Sequence, residues 1–314
     1  MISWFSKSPN RRITNFKIVE STLWFYFTRS ADNRSSDFTM TQTAATFSEI
    51  ASIERSSVLL PIVSLWRREI VRFYRQKSRV VGVIVSPLLF WLVIGSGFGT
   101  SFRSGASDQH YLQYFFPGSL LMIVLFTSIF TMMSVIEDRD RGFLSSVLVA
   151  PVPRSAIVMG KVLGGTTLSA VQGLIFLVFA PAVGVHISVS DFMVVVLSVF
   201  LMAFALTALG FALAWRMESA QAFHAIVNLF LIPLWLLSGA LFPVNGASGW
   251  IRWVMRLNPL TYGLDALRTA LFPATAAMNE FSVLTSLTIL VAFTAIIFGA
   301  AFVIVNRRTT QPAA

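Results

Sequence analysis

The sequence predicts an all-α membrane protein with six transmembrane helices, an N-terminal interfacial helix and an outer re-entrant helical hairpin between spans five and six. Hydrophobic residues make up 55% of the chain and charged residues 12%, and the mean hydropathy is +0.73. The apolar residues are gathered in blocks about as long as the roughly 20 residues a helix needs to cross a bilayer. Basic residues, in net excess by +10, flank those blocks. Lipid headgroups and membrane topology therefore account for them better than nucleic acid does, and no nucleic-acid partner is expected.

Residues 1–59 are expected to be a poorly ordered cytosolic extension. Up to residue 39 the chain shows neither a helical nor a strand period and mixes aromatics with Ser, Arg and Asn. Met40 opens a polar stretch before the first clear pattern, and is either the true start or a residue within a tail. No long apolar run precedes Val80, so a cleaved secretory signal is not expected. Cysteine is absent, which removes disulfides and thiolate metal sites.

From Leu65 to Arg79 a helical period appears, with Trp66, Ile70, Phe73 and Tyr74 on one face and Arg68, Arg72, Arg75 and Arg79 on another. This is the expected interfacial helix, its apolar face in the headgroup region and its arginines on lipid phosphates; a solvated basic helix is the alternative. Six charge-free segments follow: Val80 to Gly99, Phe116 to Ile136, Val162 to Gly184, Phe192 to Ala214, Ala222 to Leu241 and Phe281 to Val305. Six spans put both termini on one side. All of the 24 Lys and Arg except Arg103, Arg252, Arg256 and Arg268 then fall on that side, which the positive-inside rule makes cytosolic. The expected product is a multi-pass protein of the cell (inner) membrane, with a six-span domain over residues 60–308 and a cytosolic tail over 309–314. Pro87, Pro181 and Pro233 would kink or end spans, and Gly160, Gly164, Gly165 and Gly210 would let helices approach closely.

Beyond the fifth span, Trp250, Trp253, Val254 and Leu257 make one apolar stripe with Arg252 and Arg256 off it. Asn258-Pro259 breaks that helix, because a residue before proline is pushed out of the α region. A second stripe, Leu260, Leu264, Leu267 and Leu271, runs to Pro273 with Asp265 and Arg268 opposite. These two helices are too short and too charged to span, and either dip into the outer leaflet as a hairpin or lie flat on it.

No catalytic or metal set emerges, and no cofactor is expected. Gly246-Ala247-Ser248-Gly249 resembles a rhomboid-protease nucleophile, but His110, His186 and His224 all precede it, and the activating base would have to follow. His224 and Asn228 lie one turn apart, at a pathway or at a helix interface. None of the six cores carries the buried charge that ion-coupled transport requires, and no phosphate-binding loop is present, since Gly160-Lys161 lacks the preceding glycine spacing. A separate ATPase subunit is implied. The segment Glu137 to Lys161 suits contact with it: after a dense run of charge, Phe143, Leu144, Val147 and Leu148 form a stripe that Pro151 and Pro153 end. Lipid is the other surface that stripe could meet.

Two motifs in this order resemble the membrane subunits of type-two ABC exporters, such as the daunorubicin-resistance and nodulation lipo-oligosaccharide permeases. The first is Val135-Ile136-Glu137-Asp138-Arg139-Asp140-Arg141-Gly142-Phe143-Leu144, continuing through Ala150-Pro151-Val152-Pro153-Arg154 to Gly160-Lys161. The second is Phe242-Pro243, Trp250, Leu257-Asn258-Pro259-Leu260-Thr261-Tyr262 and Asp265-Ala266-Leu267-Arg268. The resemblance covers about Leu60 to Arg308. It implies the permease subunit of an ATP-driven exporter that forms the translocation pathway for a drug, lipid or glycan. Two permease chains, alike or different, would pair with two ATPase chains that hydrolyse the ATP, so the chain itself is not expected to be an enzyme. It assigns Glu137, Asp138, Arg139, Arg141 and Gly142 to ATPase coupling, and Asn258, Pro259, Tyr262 and Arg268 to an outer re-entrant gate.

Overall fold

The computed structural model describes residues 58–98, 111–150, 152–185, 187–273 and 280–306. The expected extension (save residues 58 and 59), Met40 and the 309–314 tail lie outside them. All regular elements among the described residues are helical: α1 Leu59–Arg75, α2 Lys77–Gly97, α3 Tyr111–Thr131, α4 Met133–Asp140, α5 Phe143–Val149, α6 Arg154–Phe176, α7 Val189–Arg216, α8 Ala220–Trp235, α9 Gly249–Leu257, α10 Pro259–Leu271 and α11 Val283–Asn306. A 3-10 turn, Leu177–Val183, extends α6 past Pro181, and a π-turn, Leu236–Ala240, ends α8 one turn after Pro233.

The described residues hold five helices long and apolar enough to cross a membrane, not the six expected: Tyr111–Asp140, Arg154–Val183, Val189–Arg216, Ala220–Ala240 and Val283–Asn306. The segment that fails is Val80 to Gly99. Gly99 lies outside the described residues, Lys77 and Arg79 open α2, and among the described residues the apolar helix found there is Val85–Gly97, shorter than the roughly 20 residues a crossing needs.

The re-entrant hairpin is not indicated either. The helices α9 and α10 form where expected and break at Asn258, but they go to different surroundings. The helix α10 packs along α7 and α11 and against the π-turn, burying Leu260, Leu264, Leu267 and Leu271, and also Asp265, which had been expected on the opposite side. Gly263 permits this approach, since a Cβ there would stand 2.3 Å from Met202 Sδ. In contrast, α9 buries only Met255 and leaves Trp250, Trp253 and Leu257 exposed.

Contacts define two ends of the bundle. At the charged end, Arg139 donates to the carbonyls of Trp215 and Met217, each at 2.6 Å, and Arg154 donates to that of Val305 at 3.1 Å. At the far end, Tyr111 donates to the Leu241 carbonyl and Tyr114 to that of Gly239. The long helices thus run alternately between the ends, and α11 finishes at the charged one. Between them α3 forms the core, with Phe115, Phe116, Leu120, Leu121, Leu125 and Ile129 fully buried. A polar seam fastens it to α6: Thr127 donates to Gln172 at 2.7 Å and Ser128 to Ser169 at 2.7 Å. The outer faces of α8 and α11 keep Leu229, Phe230, Leu284 and Ile296 exposed, as lipid-facing surfaces should.

The helix α1 overlaps the expected interfacial helix but ends at Arg75, leaving Arg79 in α2, and its Arg68 and Arg72 meet Asp138 and Glu137 in place of lipid phosphates. Leu65, Glu69 and Phe73 are its buried face, laid on α6 where Gly160 and Gly164 leave room.

Candidate functional site

The run Glu137-Asp138-Arg139-Asp140, a dense run of charge that the sequence places outside the expected second span, is helical in α4. It continues the span because α1 and α6 bring opposite charges to it. The Asp138 carboxylate is fully buried. Arg68 donates to both its oxygens at 2.7 Å, Arg72 donates to Oδ1 at 2.8 Å, and the Lys161 ammonium contacts Oδ2. Lys161, 1% exposed, also donates to Glu69 Oε1 at 2.6 Å and to Ser134 at 3.1 Å. Arg72 closes the set by pairing with Glu137.

Three cations thus face three carboxylates across α1, α4 and α6. Ions removed from water are tolerated only with such complete pairing, and the arginine forks supply the planar geometry that carboxylates match. The hydrogen bonds to Asp138 hold the Arg68 guanidinium above its already high ordinary value. The same guanidinium lies 3.5 Å from the ring centroid of Phe143, so the network reaches the first residue of α5.

Gly142 makes the corner. Its φ of +72° is left-handed, the Arg141 and Gly142 amides close the end of α4, and α5 starts at once. A Cβ at Gly142 would meet no atom within 4 Å, so only the backbone argues for glycine there. Gly142→Ala is therefore expected to cost about 1–2 kcal/mol, read as a lower midpoint of thermal unfolding with the folded yield retained. On α5, Leu144 is buried with Leu65 and Ile157, while Leu148 and Val149 are exposed, Val149 at 89%. Arg141 and Asp140 are exposed as well. Of the five residues assigned to coupling, then, Glu137 and Asp138 join the ion network, Arg139 caps the end of α7, and Arg141 and Gly142 form the turn.

At the far end, the break in span five collects the second group. Gly239 adopts φ +91°, and its carbonyl accepts from Tyr114 at 3.0 Å and from Arg268 Nη2 at 2.6 Å. Asn258 donates to the Leu234 carbonyl at 2.6 Å while its Oδ1 caps α10 through the Leu260 amide. Pro259 takes the first helical position, where no amide is missed. Tyr262 stands apart, donating to the Arg256 carbonyl at 2.7 Å with its ring on Phe281. Asn258 and Arg268 therefore meet at the break, and Tyr262 does not join them.

Sequence reasoning missed Arg68, Glu69, Arg72 and Lys161 at one end, and Tyr111 and Tyr114 at the other. A signal for the first group existed: one acid, Glu69, set among the arginines of α1, and a lysine just inside an apolar helix. His224 is exposed with its ring 5.1 Å from that of Phe130. Among the described residues no group of three or more His, Cys, Asp or Glu could hold a metal.

Residues 61–272, a stretch that contains both ends of this arrangement, match the family model for the ABC-2 type transporter. The chain belongs to that family. Among ABC-2 relatives it is similar to a putative transport permease ycf38 of Cyanophora paradoxa, 28% identical over 65% of this chain and 71% of that one. It is also similar to the inner membrane transport permease YadH of Escherichia coli, 25% identical over 73% and 88%. The daunorubicin resistance ABC transporter permease protein DrrB1 of Streptomyces coeruleorubidus is 25% identical over 68% and 75%. An ABC-2 permease is a non-catalytic membrane component, and membership implies an ABC ATPase as its partner.

Proposed function

We propose that this chain is the membrane-spanning subunit of an ATP-driven exporter, that it lines the translocation pathway, and that its ATPase docks on the charged end through α5 and the turn Glu137 to Gly142. The observation that carries this reading is the tip of α5: Leu148 and Val149 present apolar surface at the polar end of the bundle, on a helix tied to the buried ion network through Leu144 and Phe143. A partner protein is the occupant such a patch suits. The charged end then faces the cytosol, in the cell membrane, together with α1 and the end of α11. Asn258, Pro259, Tyr262 and Arg268 serve as the outer gate. The permease chains pair, alike or unlike, and the substrate is a drug, a lipid or a glycan.

The test is co-purification of the full chain with its Walker-motif ATPase, followed by ATPase activity of the reconstituted complex. Val149→Asp is the informative variant, because Val149 touches little within the chain, whereas reversing Glu137 would also break its pair with Arg72. A charge forced into an apolar contact should weaken ATPase association by about tenfold or more without lowering the thermal midpoint of the permease alone. Unchanged association, or coupled hydrolysis at the wild-type rate, would place the ATPase elsewhere.

A further inference from the structure

The far end of the bundle contains a buried acid that its structural surroundings leave unfinished. Asp265, in the second turn of α10, is 4% exposed, and its Oδ2 has no hydrogen-bond partner. The Phe281 amide is its backbone donor. The charged and titratable groups around it are Arg268 and Tyr262 on α10, Tyr114 on α3, and Glu280. Arg256 holds Glu280 through Oε1, and Glu280 Oε2 is also buried and unpartnered. The helices α7 and α11, packed on the other sides of α10, carry no ionisable residue from Phe192 to Trp215 or within Val283–Asn306. A metal ion placed between the two free carboxylate oxygens would meet the guanidiniums of Arg256 and Arg268. A proton removes the buried charge of Asp265 without that conflict.

Arg268 lies one turn along α10 from Asp265. Its Nη2 clamps the Gly239 carbonyl at the break in span five and its guanidinium lies 4.3 Å from the Tyr114 ring centroid, while its Nε is buried without a partner. Neither Arg268 Nε nor Asp265 Oδ2 has a partner while Arg268 sits on the Gly239 carbonyl, so the guanidinium has to shift before those two atoms can pair in an ionised Asp265. We propose that Asp265 is a proton-controlled latch on this end: neutral, it leaves Arg268 on the Gly239 carbonyl; ionised, it draws Arg268 away and lets the break open. The latch goes beyond the assignment of an outer gate and does not depend on the ATPase or on any substrate.

Burial pushes the Asp265 carboxyl up to about 6, with Glu280 adding to the effect and Arg268 opposing it. A carboxyl held above its ordinary value favours the packed form when protonated. Its stabilisation is complete below about pH 4 and is lost as pH rises through about 6. From about pH 4 to about pH 7 the opening equilibrium should rise by up to about 100-fold, the factor for a carboxyl held about two pH units high, and then level off.

Amide hydrogen exchange on the full chain in lipid nanodiscs tests this, comparing wild type with Asp265→Asn at each pH so that intrinsic exchange rates cancel. In peptides covering residues 236–246, wild type and variant should exchange alike near pH 4, with wild type progressively faster as pH rises to about 6 and the ratio level above about pH 7. A ratio that stays constant with pH overturns the latch, as does a variant that keeps the wild-type pH course, since Glu280 or another group would then be responsible. If Asp265→Asn does not assemble, residues 236–246 are compared within wild type to residues 220–228 of α8. A steeper pH course at the break supports the latch, and parallel courses overturn it.

Discussion

Asp138→Ala is expected to be the most damaging single substitution in the charged end. It would leave Lys161 buried with Glu69 as its remaining acid and take from Arg68 and Arg72 the carboxylate that both share. Removing one member of a buried ion network costs about 3–5 kcal/mol, because the surviving charges stay out of water. For a bundle of this size that corresponds to a fall in the thermal midpoint on the order of 10 °C, with loss of monodisperse protein on size exclusion. Asp140→Ala, two residues on and exposed, should change stability by no more than about 1 kcal/mol. A further comparison separates charge from shape. Lys161→Met alone should be severely destabilising, whereas Glu69→Leu with Lys161→Met should recover part of the loss, since an apolar pair can replace a buried ion pair at little cost. Equal effects at Asp138 and Asp140, or strict additivity in the double variant, would mean that the network is not what holds α1, α4 and α6 together.

Gly160→Val should rank next. A Cβ at residue 160 would stand 2.7 Å from Leu65 Cβ and 3.0 Å from the Ile62 carbonyl oxygen. Neither atom belongs to a flexible side-chain tip, so α1 as a whole must move. Overpacking of this kind costs about 1–3 kcal/mol. The displacement would also draw Arg68, Glu69 and Arg72 away from Asp138 and Lys161, so the loss should lie at or above the top of that range. Gly82→Val is the control, since no atom lies within 4 Å of a Cβ there. Thermal unfolding of the two variants in the same detergent decides the matter: similar midpoints would show that the contact between α1 and α6 contributes little.

The membrane class and four of the five long helices were legible within a few residues, because a block of some 20 apolar residues has few structural uses outside a bilayer. Two helix ends were misread for one reason. The charges of Glu137 to Asp140 and of Arg154 and Lys161 looked like boundaries, and a helix does end at an unpaired charge in lipid. Here α1, a segment distant in sequence, supplies partners for Glu137, Asp138 and Lys161, while Arg139 and Arg154 meet carbonyls at the ends of α7 and α11, so the helices run on. Pairing of that kind has no local signature. The first expected span failed through length, since Val80 to Gly99 was counted as one block although its described apolar helix is shorter. The hairpin failed because amphipathic periodicity reports which residues want burial and not what buries them. The stripe on α10 was read correctly, and it is covered by α7 and α11 in place of lipid. At the far end, Asn258 and Arg268 could be picked out by motif, while Tyr111 and Tyr114 could not, because a tyrosine that satisfies the carbonyl of a broken helix more than a hundred residues away resembles any aromatic at a membrane boundary.

The ion network also imposes an order on biosynthesis. Arg68 and Asp138 are 70 residues apart in the chain, and Glu69 and Lys161 are 92 apart. A ribosome therefore delivers the arginines first and the acids of α4 second, and the two can neutralise each other before α6 exists. Glu69 has to wait for Lys161. Until that lysine emerges, Glu69 has only the more distant Arg68, at 3.7 Å, as a cation, and α1 lacks the α6 surface on which it packs. A nascent chain halted before residue 161 thus lacks both most of the surface that α1 packs on and the lysine that Glu69 pairs with.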